Sequence, residues 1–186
     1  MFLDPGRWAA SLALAAVLGG ACARAPQAPP ARLGLRLPPA ALGAAISVQQ
    51  RLTVEREGRV VSLDVALEVD EQRIDLVGLA LGRRVLALHY DGQSLEMWRD
   101  PMVPSQLRGE DVLEDLQLTL WPAVTIRGVL PNGWRIEENG RRRTLLLDDT
   151  PVTVIDYSDD LRWSGEAVLN NQRYGYRLTI RTAANG

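Results

Sequence analysis

Apolar and polar residues alternate along two long segments early in the chain, which is the pattern of β-strands with one buried and one solvent-exposed face. The first segment runs from Ile46 to Glu55 and the second from Val60 to Val69, with Glu57-Gly58 as the turn between them. The alternation recurs in shorter segments, which we predict to be strands: Arg73–Leu79, Arg84–Tyr90, Ser94–Arg99, Trp134–Glu138, Arg142–Leu147, Val152–Tyr157, Glu166–Asn170 and Tyr174–Arg181.

One stretch in the middle of the chain has helical spacing instead. Residues from Gly109 to Trp121 contain no helix breaker, begin with the acids Glu110 and Asp111, and place apolar residues three and four apart. Acids in the first turn suit the positive end of a helix dipole. Pro122 ends this helix and can open a second short one through Val129. The pattern therefore predicts about five strands, a helical crossing and about five more strands.

These elements predict a mainly β (α+β) fold with a curved sheet. A sheet of about ten strands with a single apolar face cannot stay flat, because strands twist. Two helices are too few to cover both faces of such a sheet. We therefore expect an open antiparallel half-barrel with one or two helices across its concave face.

The amino terminus has the layout of a bacterial lipoprotein export signal. An uncharged run from Ala9 to Leu18 precedes small residues and Cys22, which is the only cysteine. The run is shorter than the ~20 residues that span a bilayer. We predict a signal peptide over residues 1–21, an acylated Cys22 with a Pro/Ala-rich tether over 22–39, and a domain over 40–183. Gly19 stands where such signals usually carry Leu, so an ordinary secretory peptide is the alternative.

Composition narrows the classes of partner. The net charge is −2 and the 21 basic residues, all arginine, are scattered along the chain, which argues against nucleic acid as a partner. A single cysteine allows no intramolecular disulfide, so stability has to come from packing.

The chain lacks the sequence motifs that identify common classes of enzyme. His89 is the only histidine and alternates with strand residues, so a structural role is expected. No nucleophile elbow, Walker loop or dinucleotide motif occurs, and we predict no cofactor, no metal site and no catalytic residue. The helix acids Glu110, Asp111, Glu114 and Asp115 are predicted to form a solvated face. Arg141 to Arg143 are predicted to be an exposed hairpin end, with contact to an anionic headgroup as the alternative.

Three segments resemble a bacterial family of outer-membrane lipoproteins of unknown function, often encoded in aryl polyene gene clusters. They are RIDLVGLALGRRVLALHY (residues 73–90), EDVLEDLQLTLWP (110–122) and NQRYGYRLTI (171–180). That family is in turn similar to the LolA/LolB lipoprotein carriers, whose fold is an open half-barrel closed by helices. The resemblance implies that the Leu79–Gly82 loop projects Leu81 toward the membrane. Packing of Leu81 beneath its own hairpin is the alternative.

A curved apolar face can hold an acyl chain, since each buried methylene contributes about 0.8 kcal/mol. We expect a lipid-anchored protein on the periplasmic side of the outer membrane that binds a lipid or acylated cargo and aids its transfer. The candidate lining residues are Val61, Leu63, Val65, Leu67, Val112, Leu116 and Leu120. If the helices fill the hollow, the alternative is a tethered scaffold that docks a protein partner of envelope export through edge strands or Trp98, Trp134 and Trp163.

Overall fold

The computed structural model describes residues 32–183, so the predicted signal peptide and Cys22 lie outside the described residues. Within them the chain forms ten strands and two short helices. In chain order these are β1 (Ile46–Arg56), β2 (Arg59–Val69), β3 (Ile74–Ala80), β4 (Arg83–Tyr90), β5 (Leu95–Arg99), α1 (Gly109–Leu120), α2 (Ala123–Arg127), β6 (Trp134–Asn139), β7 (Arg142–Leu147), β8 (Thr150–Tyr157), β9 (Glu166–Asn171) and β10 (Tyr176–Thr182). The predicted mainly β fold class is confirmed.

All ten strands belong to one antiparallel sheet in the order β5-β4-β3-β2-β1-β10-β9-β8-β7-β6. Two five-strand meanders are joined where β1 pairs with β10, for example Leu52 opposite Ile180. β5 and β6 remain as the two edges, so the sheet is not closed into a barrel. This is the open antiparallel arrangement that the alternation predicted.

The helices cover one face of this sheet. Because β5 and β6 lie at opposite edges, the segment that joins them has to cross a face. Leu113 and Leu118 of α1 are fully buried in the same core as Leu67 of β2 and Ile74 of β3. We call this covered side the inner face. Each leucine buried there contributes about 1.5–3 kcal/mol.

Residues 32–38, which we call the N-terminal strap, are packed against α1. Leu35 and Leu37 are buried. The backbone N–H of Leu37 donates to Gln117 Oε1 at 3.1 Å, and Gln117 Nε2 donates to the Leu37 carbonyl at 2.8 Å. The indole N–H of Trp121 donates to the Pro38 carbonyl at 3.2 Å. This part of the predicted tether therefore belongs to the packed domain.

The strap runs from one end of the sheet to the other. At its start the Arg32 guanidinium lies 4.5 Å from the ring centre of Tyr174, in the turn between β9 and β10. Just beyond its end, Pro39 lies beside Gly92 in the turn between β4 and β5, where an added Cβ would be 3.3 Å from Pro39 Cδ. These two turns lie at opposite ends of the antiparallel sheet.

Candidate functional site

Four hairpin turns lie together at one end of the sheet, which we call the Leu81 end. They join β1 to β2, β3 to β4, β7 to β8 and β9 to β10, because alternate turns of an antiparallel sheet meet at the same end. Three of these turns contain non-glycine residues with positive φ: Glu57 (52°), Leu81 (51°), and the pair Asp148 (46°) and Asp149 (63°). Leu81 is the only apolar residue among them.

Leu81 is exposed at the tip of a two-residue turn. Ala80 pairs with Arg83, so Leu81 and Gly82 alone connect β3 to β4, with φ values of 51° and 71°. Positive φ at both positions defines a type I′ turn, which favours Asn-Gly or Asp-Gly. The Leu81 side chain is 99% exposed, so it does not pack beneath its own hairpin. Neither backbone preference nor burial accounts for a leucine here.

A second apolar element lies beside this turn. β2 begins at Arg59, but its pairing with β3 begins only at Asp64, opposite Leu79. Residues 59–63 therefore overhang the β3–β4 turn and pair on one side only, with β1. Val60 and Val61 in this overhang are 64% and 62% exposed, and Leu79 beside it is partly exposed as well.

The predicted lining residues fall into two groups. Val65, Leu67 and Leu120 are core residues with at most 3% exposure, so a ligand reaches them only if α1 moves. Val61 is exposed, whereas Leu63, Val112 and Leu116 are partly buried. The hollow that we expected beneath α1 is thus filled by the protein's own side chains.

The inner face is covered less completely toward the Leu81 end. Leu52 of β1, Leu63 of β2 and Leu178 of β10 are partly buried there, and Leu52 pairs directly with Leu63. Leu63 lies against Gly78 of β3, where an added Cβ would be 2.7 Å from Leu63 Cδ1. Val54 of β1 is partly buried and pairs with Val61 on one side and Leu178 on the other. We call Leu52, Val54, Val61, Leu63 and Leu178 the inner strip.

Two surface clefts, of ≈ 450 and ≈ 410 Å³, lie on the sheet, the first at the Leu81 end and the second toward the opposite end of β10, where Thr182 lines it. The first lies between the β1–β2 hairpin and the β9–β10 turn and is lined mainly by polar residues such as Arg56 and Asn171. The second lies along β1, β2 and β10, where Arg51 and Asp64 line it. No α1 residue lines either cleft.

Three of the four acids of α1 are mostly buried and do not form the solvated face that the sequence predicted, whereas Glu110 is 45% exposed. Glu114 is fully buried, and its Oε2 accepts a hydrogen bond from the Gly34 backbone N–H at 2.7 Å. Asp115 lies 3.2 Å from Arg32 Nη1, and Asp111 lies 2.9 Å from Arg32 Nε. The expectation was wrong because the strap covers this side of the helix.

Further partners of these acids come from the carboxyl-terminal strands. Arg173 Nη2 lies 3.6 Å from Glu114 Oε1, and the Tyr176 hydroxyl donates to Asp115 Oδ2. Burial raises the pKa of both Glu114 and Asp115. Burial, together with the charge of Asp115, also raises the pKa of Tyr176. The cluster joins the strap, α1 and the β9–β10 turn, and it has to stay paired because uncompensated buried charge is costly.

Aromatic rings surround the two arginines of this cluster. The Arg173 guanidinium lies 4.7 Å from the Trp134 ring and 4.9 Å from the Tyr174 ring, and Arg32 lies on Tyr174. Such cation–π contacts contribute about 0.5–2 kcal/mol each. Trp134 and Trp163, which the scaffold alternative placed on an interface, pack against the core, whereas Trp98 is 45% exposed beneath Arg84.

The predicted exposed hairpin end is wrong for one of its three arginines. Arg143 is 1% exposed, its Nη2 lies 2.7 Å from Glu138 Oε1, and its Nη1 donates to the Leu118 carbonyl near the carboxyl end of α1. The negative end of the helix dipole stabilises a cation at this position. Arg141 and Arg142 are exposed and pair with Asp160 and Asp156.

His89 is half-exposed on the outer face. Its Nδ1 lies 2.7 Å from Asp75 Oδ1, and the other oxygen of Asp75 lies 2.9 Å from Arg73 Nε. Among residues 32–183, His, Asp and Glu form no group placed to hold a metal ion. Neither helix in that range is long and apolar enough to cross a bilayer.

Sequence comparison places the chain in a family. The family described as "Protein of unknown function (DUF3261)" matches residues 47–184. The chain belongs to this family. A search of curated proteins finds no match. Among solved structures, a DUF1329 family protein from Desulfovibrio piger is 12% identical, with a TM-score of 0.35 over 82% of this chain and 89% of that chain. Similarity at this level says nothing about ligand or activity.

Proposed function

We propose that this DUF3261 member is an outer-membrane lipoprotein, held on the periplasmic side by acylated Cys22. It binds a lipid or acylated cargo at the Leu81 end of its half-barrel and aids transfer of that cargo into the membrane. No bond is made or broken in this process. An aryl polyene lipid is the cargo class that the family resemblance favours.

The observation that carries the proposal is the Leu81 turn. The Leu81 side chain is 99% exposed, so it contributes no stability through burial. Its positive φ in a type I′ turn is also unfavourable for leucine. A leucine at a position that both preferences disfavour, together with the exposed Val60 and Val61 beside it, suggests contact with something apolar outside the domain. At the same end, the other turns with positive φ carry polar residues, Glu57 and Asp148-Asp149, so an apolar residue is found only at the Leu81 turn among these three.

The inner strip is the favoured place for an acyl chain. Leu52, Leu63 and Leu178 of the strip pack against the core and are only partly covered, and Val61 is exposed, so a chain can lie on the strip without displacing α1. Burial of about six methylenes would contribute roughly 5 kcal/mol before the cost of ordering the chain. This moves the proposed contact away from Val65, Leu67 and Leu120 toward Leu52, Leu63 and Leu178.

Photo-crosslinking of the full-length protein in its cell envelope tests this proposal. A photoreactive benzophenone side chain at Leu63 faces the inner strip, and the matched control at Glu68 points to the outer face of the same strand, toward the end opposite Leu81. We expect an acyl adduct at Leu63 in the mass spectrum and none at Glu68. Adducts at neither position, with the protein stably folded, would exclude the carrier function and favour the scaffold.

A further inference from the structure

The exposed apolar residues at the Leu81 end come from two adjacent elements and form one patch. Leu81 stands at the tip of the β3–β4 turn, and Val60, Val61 and Leu79 lie beside it on the β2 overhang and the end of β3. In the overhang, Val60 points to the outer face and Val61 to the inner face, because strand side chains alternate. Val60 and Val61 are both more than half exposed, so both faces of the overhang are accessible at these two residues.

Arginines flank this patch. Arg56 and Arg59 flank the β1–β2 turn, and Arg83 and Arg84 follow the β3–β4 turn. Arg56 and Arg83 are well exposed, with 57% and 76% of their side chains accessible. Apolar side chains ringed by arginine suit an interface with anionic lipid phosphates, where each arginine contributes about 1 kcal/mol.

Carboxylates offset part of the charge of these arginines, and Glu55, directly opposite Val60, is a further acid at this end. Glu57 lies 3.5 Å from Arg56 but is itself well exposed, and Asp100 approaches Arg83 only to 4.0 Å. Asp64, at the base of the overhang, is already paired with Arg51 at 2.8 Å.

The route of the chain toward Cys22 brings this patch to the anchor. The strap starts at Arg32, whose Nη2 donates to the Tyr176 hydroxyl, and Tyr176 opens β10 at the Leu81 end, opposite Arg56. Ten residue steps separate Cys22 from Arg32, and a fully extended chain of that length spans at most about 35 Å. β10 lies three strands from β3, or about 15 Å across the sheet. The anchor can therefore hold the Leu81 end at its own membrane.

The overhang also limits how deep the contact goes. Backbone groups of residues 59–63 on the side away from β1 have no strand partner. Such groups cost several kcal/mol each in hydrocarbon, whereas water and headgroups satisfy them. Val60 and Val61 therefore suit the headgroup level, and Leu81, on a closed turn, suits a position at least as deep.

We infer that the Leu81 end is a two-element docking surface for the anionic bilayer that carries the acyl anchor. Leu81 and the Val60–Val61 overhang are its apolar contacts, and Arg56, Arg59, Arg83 and Arg84 meet lipid phosphates. The inference rests on the proposed lipid anchor. It adds the overhang, the arginines and a fixed orientation in which the mouth of the inner strip faces the membrane.

Single-cysteine labelling of the full-length acylated protein tests the docking. Cys22 is the only native cysteine and its sulfur is consumed by the lipid, so one engineered cysteine is labelled uniquely. An environment-sensitive fluorophore is placed at Ser62→Cys in the overhang or Leu81→Cys at the turn. The matched control is Gln72→Cys in the β2–β3 turn at the opposite end. The proteins are reconstituted in phosphatidylethanolamine and phosphatidylglycerol vesicles with brominated acyl chains and no cargo.

Bromine quenching is expected at Ser62→Cys and Leu81→Cys but not at Gln72→Cys. Adding Val60→Asp and Val61→Asp should abolish the quenching at Ser62→Cys. Each of Arg59→Gln and Arg83→Gln should lower the ratio of docked to undocked protein about fivefold. Equal quenching at Gln72→Cys, or quenching at Leu81→Cys alone, would overturn the two-element surface. A protein adduct from a benzophenone side chain at Ser62 in cells, without quenching in vesicles, would also overturn it and would assign the exposed edge of β2 to strand pairing with a protein partner.

The result of the vesicle docking experiment does not depend on whether the protein binds a cargo. The vesicles contain no cargo, so docking is measured whether or not Leu63 gives acyl adducts in cells. If the protein proves to lack the acyl anchor, Cys22 is changed to Ala and the labelled variants are added to preformed vesicles. Absence of quenching there overturns the docking surface, whereas quenching retains the surface and removes only the anchor.

Discussion

Replacing Leu81 by asparagine should make the protein more stable and less able to engage lipid. Leu81 is 99% exposed, so its removal forfeits almost no buried area. Its φ of 51° lies in the left-handed region, which costs most residues roughly 1–2 kcal/mol and asparagine less. We expect the free energy of unfolding to rise by about 0.5–1 kcal/mol, which corresponds to about 1–4 °C in Tm for a domain of this size.

Thermal unfolding followed by circular dichroism measures the first effect, and the Leu63 photo-crosslink in cells measures the second. Glu57→Asn is the matched control, because Glu57 has a φ of 52° in a turn at the same end but carries a polar side chain. Both variants should gain stability. Only Leu81→Asn should lose acyl adducts, because only Leu81 supplies an apolar contact with the membrane.

Two results would refute this reasoning. A loss of more than about 1 kcal/mol in Leu81→Asn would mean that the leucine is packed rather than exposed. Unchanged acyl adducts in Leu81→Asn would mean that the exposed leucine has no part in cargo handling, and the Leu81 turn would no longer support the proposed function.

Three further sets of variants test the anchor and the buried charges. Cys22→Ala should release the protein from membranes, and retention after a carbonate wash would rule out lipidation. Glu114→Ala should cost about 3–5 kcal/mol, because the buried Arg173 guanidinium and the Gly34 backbone N–H both lose their contact with the Glu114 carboxylate, whereas Glu110→Ala should stay within about 0.5 kcal/mol in urea unfolding. Burial raises the pKa of Glu114 from 4.5, so its proton is held more tightly in the folded state. The contribution of Glu114 to stability should then fall as pH rises from 4.5 toward its raised pKa in the folded state. Glu114→Gln should remove this contribution, whereas that of Asp115, whose pKa is also raised, should remain; an identical slope in both proteins would contradict the prediction. Arg143→Met should cost about 2–3 kcal/mol and Arg142→Met less than about 1 kcal/mol, and similar losses in both would show that Arg143 is not the buried member.

The strands were predictable because a half-buried sheet imposes a period of two on the residues themselves. In β2, for example, Val65, Leu67 and Val69 are buried and Asp64, Ala66 and Glu68 are exposed, as their alternation predicted. The helix was predictable for the same kind of reason, since Gly109–Leu120 was expected to within one residue. Local pattern was enough because each element buries one face of its own.

The buried charge cluster was not predicted, although the spacing of α1 contained a signal. Glu114 lies four residues before buried Leu118, and Gln117 lies four residues after buried Leu113, so both belong to the apolar side of the helix. Because acids near the start of a helix are usually solvated, we predicted a solvated face instead. Their partners Arg32 and Arg173 lie far away in the chain, so only the fold shows that the charges are compensated.

By itself, the sequence determined the fold class and the order of the elements, because periodicity is a local property, and its short amino-terminal motif predicts an export signal. Tertiary structure decided which side chains are free for function. It filled the space beneath α1, buried Arg143 and Glu114, and left Leu81 and the β2 overhang exposed at one end. Burial and strand register depend on contacts between residues distant in the chain, and no local pattern specifies them.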